Sequence, residues 1–161
     1  MSDPQPRRFV RPEHCLDFGA PTASGLSLVV RNHLRELPKM AEQVSAWCEE
    51  NAVPAAAAFH VNLALDEIVS NVIRYGWNDA GEHEIHVRLS RTKDEVRIEV
   101  EDDAAPFNPL EVPAVNVNLS VEERPVGGLG IHLVRQVMDD LDYRRTEGKN
   151  VFIMTKKTAD A

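Results

Sequence analysis

Positive charge is scarce in this sequence. There are 18 Lys and Arg against 26 Asp and Glu, the net charge is −8, and no block of basic residues stands out. Nucleic-acid binding rests mainly on basic groups facing phosphates, so this balance argues against a nucleic-acid partner. It argues against an anionic membrane surface for the same reason. Cysteine is scarce too. Cys15 and Cys48 stand far apart in no metal-ligand spacing. A disulfide framework is not expected, and a reducing cytoplasm fits best. No apolar run is long enough to span a bilayer. The N-terminal stretch MSDPQPRRFVRPEH leads into no apolar core segment, so it is not expected to be a secretory signal. There is no internal repeat and no low-complexity tract. The histidines are scattered. His83 and His86 lie three apart in an expected strand and should point to opposite faces, which argues against a metal site there.

What is present is ordinary globular material. The chain has 161 residues, 43% apolar and 27% charged, which suits one domain with a sizeable core. Residues 1–24 hold Pro4, Pro6, Pro12 and Pro21 and read as an irregular extension, with a short strand near Cys15 to Phe18. Period-two apolar residues from Leu26 to Leu34 predict a strand. Pro38 can open a helix in which Met40, Val44, Trp47 and Cys48 recur at helical spacing, up to Asn51. Pro54 opens a longer helix rich in Ala and Leu, with Gly76 as its stop. Ile85, Val87 and Leu89 alternate, as do Val96, Ile98 and Val100, predicting a hairpin across Lys93-Asp94. Residues 129–140 read as an amphipathic helix. Leu141–Thr146 and Val151–Thr155 read as a closing hairpin across Glu147-Gly148-Lys149. The remaining stretch, Asp103 to Gly127, has no clear period. A loop of that length inside a compact domain is usually functional, and a lid is the expectation.

Three motifs carry candidate chemistry. In the long helix, Glu67 and Asn71 are four residues apart and share one face, one turn from each other. A carboxylate there can accept a proton, and a neutral carboxamide oxygen can ligate a hard cation. The bland alternative is a solvated polar face. The second motif, residues 100–109, starts at a strand end, where Asp102, or its neighbour Asp103, can be aimed into a crevice to accept a hydrogen bond from an amino group. Its bland alternative is a turn. The third is Gly127-Gly128-Leu129-Gly130, just before a helix. Glycine lets backbone approach a ligand, and the free N–H groups of a helix start favour an anion such as phosphate. Its bland alternative is a flexible junction. A bound nucleotide is compatible with the negative net charge, because backbone N–H groups and magnesium can balance phosphate locally.

Each motif alone is modest, but their order is specific: acid–amide helix, hairpin, Asp motif, lid, glycines, helix, final hairpin. Over roughly residues 26–157 the sequence resembles the GHKL (Bergerat-fold) ATPases, and within them the RsbW-type anti-sigma-factor serine/threonine kinases. LALDEIVSNVIRYG resembles the family's N box, EDDAAPFNP its G1 box and VGGLGIHLV its G2 box, while Gly148-Lys149-Asn150-Val151 resembles the segment that ends the nucleotide site. The resemblance implies an α+β fold, a two-layer sandwich with a mixed, mostly antiparallel sheet covered by helices on one face. It places an irregular extension at 1–24 and the ATP-binding domain at 25–158. It implies ATP and Mg2+ as cofactors, Glu67 as general base and Asn71 as metal ligand. Asp102 would bind the adenine amino group. Gly128 and Gly130 would approach the phosphates, with Arg124 adding positive charge. The nucleotide-binding set further includes Ala104, Phe107, Gly127, Leu129 and Asn150. The implied partners are a STAS-type anti-sigma-factor antagonist, a sigma factor and a second copy of the chain. Ala104 departs from the family pattern, which has glycine there, and a positive φ at that position would be costly for alanine.

The expected function is therefore an ATP-dependent protein serine kinase acting on a STAS-type antagonist. Two other readings compete. A binding module without catalysis would sequester a regulator and use nucleotide only to set its shape. A detached sensor-kinase catalytic domain would need a phospho-accepting His on a second helical hairpin. His60 reads more simply as a surface or core-edge residue.

Overall fold

The computed structural model describes residues 25–113 and 128–158. The expected extension at 1–24, with its strand near Cys15, lies outside them. β1 (Leu26–Arg31) leads through a 3-10 turn (Leu34–Glu36) into α1 (Leu37–Glu50), and then comes α2 (Ala55–Tyr75). The hairpin of β2 (Glu84–Arg91) and β3 (Glu95–Asp102) follows, with a 3-10 turn at Pro109–Glu111. α3 (Gly128–Val137), β4 (Asp140–Thr146) and β5 (Lys149–Lys157) complete the order. The five strands form one sheet in the order β1-β2-β3-β5-β4. Every neighbouring pair is antiparallel, so the sheet among the described residues has no parallel pair.

The pleat sorts the strands. Val30 of β1, Ile85, Val87 and Leu89 of β2, Val96, Ile98 and Val100 of β3, and Phe152 and Met154 of β5 are buried in one core with the helices. Their register partners agree: Val87 opposes Val100 and Val100 opposes Phe152, so one face is continuously apolar. α1 buries Met40, Val44, Trp47 and Cys48, and α2 buries Ala57, Val61, Ala64, Leu65, Ile68 and Val69. Both sets recur at helical spacing and form the second layer. On the opposite sheet face Arg88 bridges Glu99 at 3.6 Å and Glu101 at 3.0 Å, and Arg97 meets Glu99 at 2.9 Å. Glu99 is 2% exposed, and this pairing is what makes a buried carboxylate tolerable.

The ends of the elements differ from the sequence reading in three places. β1 stops at Arg31, not Leu34, because Asn32 and His33 turn the chain: the His33 N–H donates to Arg31 O. α3 stops at Val137, not residue 140. Lys156 Nζ donates to Val137 O, while the Asp139 N–H donates to Thr155 O and pulls the chain into the sheet. His83 precedes β2 instead of lying in it, and its ring stacks on Trp77 with centroids 4.4 Å apart. At the β4–β5 turn Glu147 and Gly148 both have positive φ, 52° and 78°, the twist a two-residue hairpin loop needs.

Candidate functional site

The site is built where α2 ends, beside the ends of β3 and β5. α2 runs along the sheet with its apolar face inward, and Glu67 and Asn71 stand on the edge of that face, half-buried. The carboxyl of Glu67 has its pKa raised, first by burial and then by Asp66, with Arg74 opposing. Gly130 of α3 sits directly against Glu67. A methyl group built at Gly130 would overlap Glu67 Oε1 and Cδ. Any Cβ at this position would therefore displace the Glu67 carboxylate. Among the described residues the Asn71 carboxamide makes no hydrogen bond to protein, so its oxygen is available to a ligand.

β3 ends at Asp102, which is 5% exposed. Its Oδ1 accepts hydrogen bonds from the Ala104 N–H at 3.0 Å and from Asn150 Nδ2 at 2.9 Å. Its Oδ2 receives none from the described residues and remains for another donor. Burial raises the Asp102 pKa most; the bonds from Asn150 and Ala104 oppose that, Asp103 adds to it and Arg145 opposes it.

Asn150 of β5 organises the loop after Asp102. Besides Asp102, its Nδ2 donates to Ala105 O at 2.9 Å, and its Oδ1 accepts from the Phe107 N–H at 3.2 Å and the Tyr143 hydroxyl. Arg145 donates to Ala104 O at 2.9 Å. The 3-10 turn beyond is tied to α3 by Arg135, whose Nη2 donates to Pro109 O at 3.2 Å and Leu110 O at 2.8 Å.

These elements enclose a cavity of about 290 Å³, near the small end of the range for ligand pockets. Ile68, Val72, Val100, Ile131 and Phe152 give it apolar walls, and Asn71, Asp102 and Asn150 supply polar groups. Flat apolar walls with one carboxylate at the base suit an aromatic ring that carries an amino group.

The Histidine kinase-like ATPase domain model matches residues 30–156. This chain belongs to that family. Its curated relatives of the histidine kinase-like ATPase type include the serine/threonine-protein kinase BtrW of Bordetella bronchiseptica, 27% identical over 117 residues, which are 70% of this chain and 82% of BtrW. The serine-protein kinase RsbW of Bacillus mycoides is 31% identical over 101 residues, 60% of this chain and 61% of that protein. The match thus spans less than two thirds of the Bacillus relative. Among solved structures, the RsbU and RsbW domains of Rv1364c from Mycobacterium tuberculosis share the fold. The TM-score is 0.62 at 16% identity, covering 88% of this chain and 34% of that one. The family and the α+β sandwich expected from the order of the motifs are both borne out.

Within this histidine kinase-like ATPase domain, Asn71, Asp102, Ala104, Phe107 and Asn150 all line one cavity, and Glu67 adjoins α3 at Gly130. Arg124 and Gly127 lie outside the described residues, as does most of the expected lid. Gly128 and Leu129 open α3, and the structure describes their backbone only. Ala104 has no positive φ; among described non-glycine residues that belongs to Ala52 and Glu147. Its methyl group is buried against Gly76, where an added Cβ would come within 2.9 Å of it. Gly76 is therefore required by close approach, and its own φ of −71° is helical. Sequence reasoning missed Tyr75, Tyr143, Arg145 and Arg135. The register sets Arg145 opposite Asn150 and Tyr143 opposite Phe152, but nothing local marked them as part of a site.

Proposed function

We propose that this protein is an ATP-dependent protein serine kinase of the RsbW type, acting in the cytoplasm on a STAS-type antagonist of an anti-sigma factor. The observation that carries this reading is convergence. A carboxylate oxygen on Asp102 and a carboxamide on Asn71, each without a partner among the described residues, line one apolar cleft, and a half-buried carboxyl on Glu67 adjoins it at Gly130.

Asp102 Oδ2 accepts the exocyclic amino hydrogen of adenine, while Ile68, Val72, Val100 and Ile131 exclude water from the ring. Asn71 would hold magnesium, which would neutralise charge on the phosphates. The start of α3 offers backbone N–H groups to phosphate oxygens. Glu67 accepts the proton of the acceptor serine as its Oγ forms a bond to the γ-phosphorus and the bond to the β–γ bridging oxygen breaks. Burial makes Glu67 more basic, which favours that transfer. Most of the rate comes from positioning and charge stabilisation. The added phosphate dianion then repels the partner from this acidic chain. A sigma factor and a second copy of the chain are the further partners proposed. Among the described residues no helix is long and apolar enough to cross a membrane.

The test is transfer of label from γ-labelled Mg-ATP to the serine of a purified antagonist, wild type against Glu67→Ala. Labelling by wild type and its loss in the variant are expected. ATP binding without labelling of any cognate antagonist would leave a binding module instead.

A further inference from the structure

The segment that follows α2 is joined to the segment that follows β3, residue by residue. Gly76 O accepts a hydrogen bond from the Ala105 N–H at 3.3 Å. Gly76 packs against the methyl of Ala104. Trp77 Nε1 donates to Asp103 Oδ1 at 3.1 Å. The Trp77 ring is itself held, because it lies parallel to the His83 imidazole at an interplanar angle of 2°, and His83 Nε2 is 2.8 Å from Asp79 Oδ1. His83 is in turn fixed to the end of β1, where its N–H donates to Asn32 Oδ1 at 2.9 Å.

This arrangement bears on a question the sequence leaves open, namely which of two adjacent acids faces the cleft. Asp102 is buried and lines the cleft, whereas Asp103 is exposed and does not. Both residues line a second, polar depression on the far side, together with Glu82, Glu84 and Glu101. Arg31, Lys149, His83 and His86 line the same depression, with Arg31 paired to Glu82 and Lys149 to Glu101, while the negative charge of Asp103 opposes ionisation of Asp102. The extended backbone starts Asp103 on the outer side. The backbone beyond it is held by Asp102, Arg145, Asn150 and Gly76, which leaves the Asp103 side chain to be fixed. The indole N–H of Trp77 is the side-chain donor that fixes it.

We propose that Trp77 is a positioning residue for the nucleotide site: its indole N–H, bonded to Asp103, ties the Asp102 loop to the segment that follows the helix carrying Glu67 and Asn71. The base-binding and phosphate-binding groups are thereby set at one spacing. This inference rests on the nucleotide reading of the cleft.

The experiment is a double-mutant cycle on ATP affinity, paired with tryptophan emission of the ligand-free protein. Trp77→Phe keeps a ring to stack on His83 and removes the donor. Asp103→Ala removes the acceptor, and Asp103→Asn retains one. Trp77→Phe and Asp103→Ala are each expected to weaken ATP binding by about fivefold, a typical size for a coupling carried through a neighbour. The double variant should be no weaker than either single variant, because both break the same contact. Asp103→Asn should restore most of the affinity. The protein has two tryptophans, so the Trp77 share of emission is the difference between wild type and Trp77→Phe. That share should shift in Asp103→Ala and not in Asp103→Asn. Losses that add in the double variant, unchanged ATP affinity in Trp77→Phe, or an emission unmoved by Asp103→Ala would each overturn the inference while leaving the nucleotide reading intact. Wild-type protein that binds no ATP would overturn both.

Discussion

Glu67 and Gly130 meet across the contact between α2 and α3, where a methyl group on Gly130 would overlap the Glu67 Oε1 as it stands. The glycine of the motif is thus explained by its neighbour. It keeps α3 close enough for the start of that helix to share a site with the Glu67 carboxylate.

Gly130→Ala is expected to push the Glu67 carboxylate out of its place. Alanine favours helix, so stability should change little or rise by up to ~1 kcal/mol before overlap is counted. Phosphoryl transfer should fall by roughly 10²-fold, the scale of a 1 Å misplacement. Thermal melting alongside a transfer assay separates the two effects. Transfer at the wild-type rate would mean that the carboxylate does not act from this position.

Glu67 also sets a pH dependence. Its pKa is raised, chiefly by burial, above the usual glutamate value of about 4.3. The base works only when deprotonated, so transfer should decline as pH falls through that raised pKa. The acidic limb should vanish in Glu67→Gln, leaving a residual rate lower by about 10²- to 10⁴-fold. A pH–rate profile measured with saturating nucleotide checks both points.

Asp102 is expected to serve the proposed site at a cost in stability. Its folded pKa is raised, so its contribution to stability is full below the unfolded pKa and is lost as pH rises through the folded one. At neutral pH the ionised group therefore destabilises the fold. Asp102→Asn keeps an oxygen for the Ala104 and Asn150 donors and removes the charge. Its melting temperature at pH 7 should equal or exceed that of wild type, with the gap closing in acid. ATP affinity should drop by about 10- to 100-fold, the worth of a hydrogen bond to a charged group. Calorimetric titration and melting curves at two pH values measure these changes.

Asn150 has the opposite character. Its carboxamide joins Asp102, Ala105, Phe107 and Tyr143, and it is buried. Asn150→Ala leaves several of these groups unsatisfied, and about 2–4 kcal/mol of stability should be lost. Urea unfolding reads that loss directly. Both ends of its amide are engaged with protein, so ATP affinity is expected to depend on Asn150 through the loop it shapes.

Much of this was legible in the sequence because local rules and tertiary packing agree. The period of Met40, Val44, Trp47 and Cys48, and the alternation of Ile85, Val87 and Leu89, each identify a buried face without outside help. Glu67 and Asn71 could be paired because a helix fixes what is one turn apart. What was not legible depends on contacts between distant segments. Gly76 is the helix stop that the sequence suggests, but its second role, to admit Ala104, 28 positions later in the chain, was hidden. No periodicity marks Trp77 as the partner of Asp103, or Arg135 as the tie to Pro109. The end of α3 was overextended because Lys156, far along the chain, supplies the group that caps it.

The central claim is that a nucleotide sits between α2 and α3 over the end of β3, and amide chemical shifts during an ATP titration with magnesium test it most directly. The largest shifts are expected at Asn71, at Asp102 to Ala105 and at Gly130 and Ile131. Shifts confined to the outer face of the sheet around Arg88 and Glu99, or none at millimolar nucleotide, would contradict it.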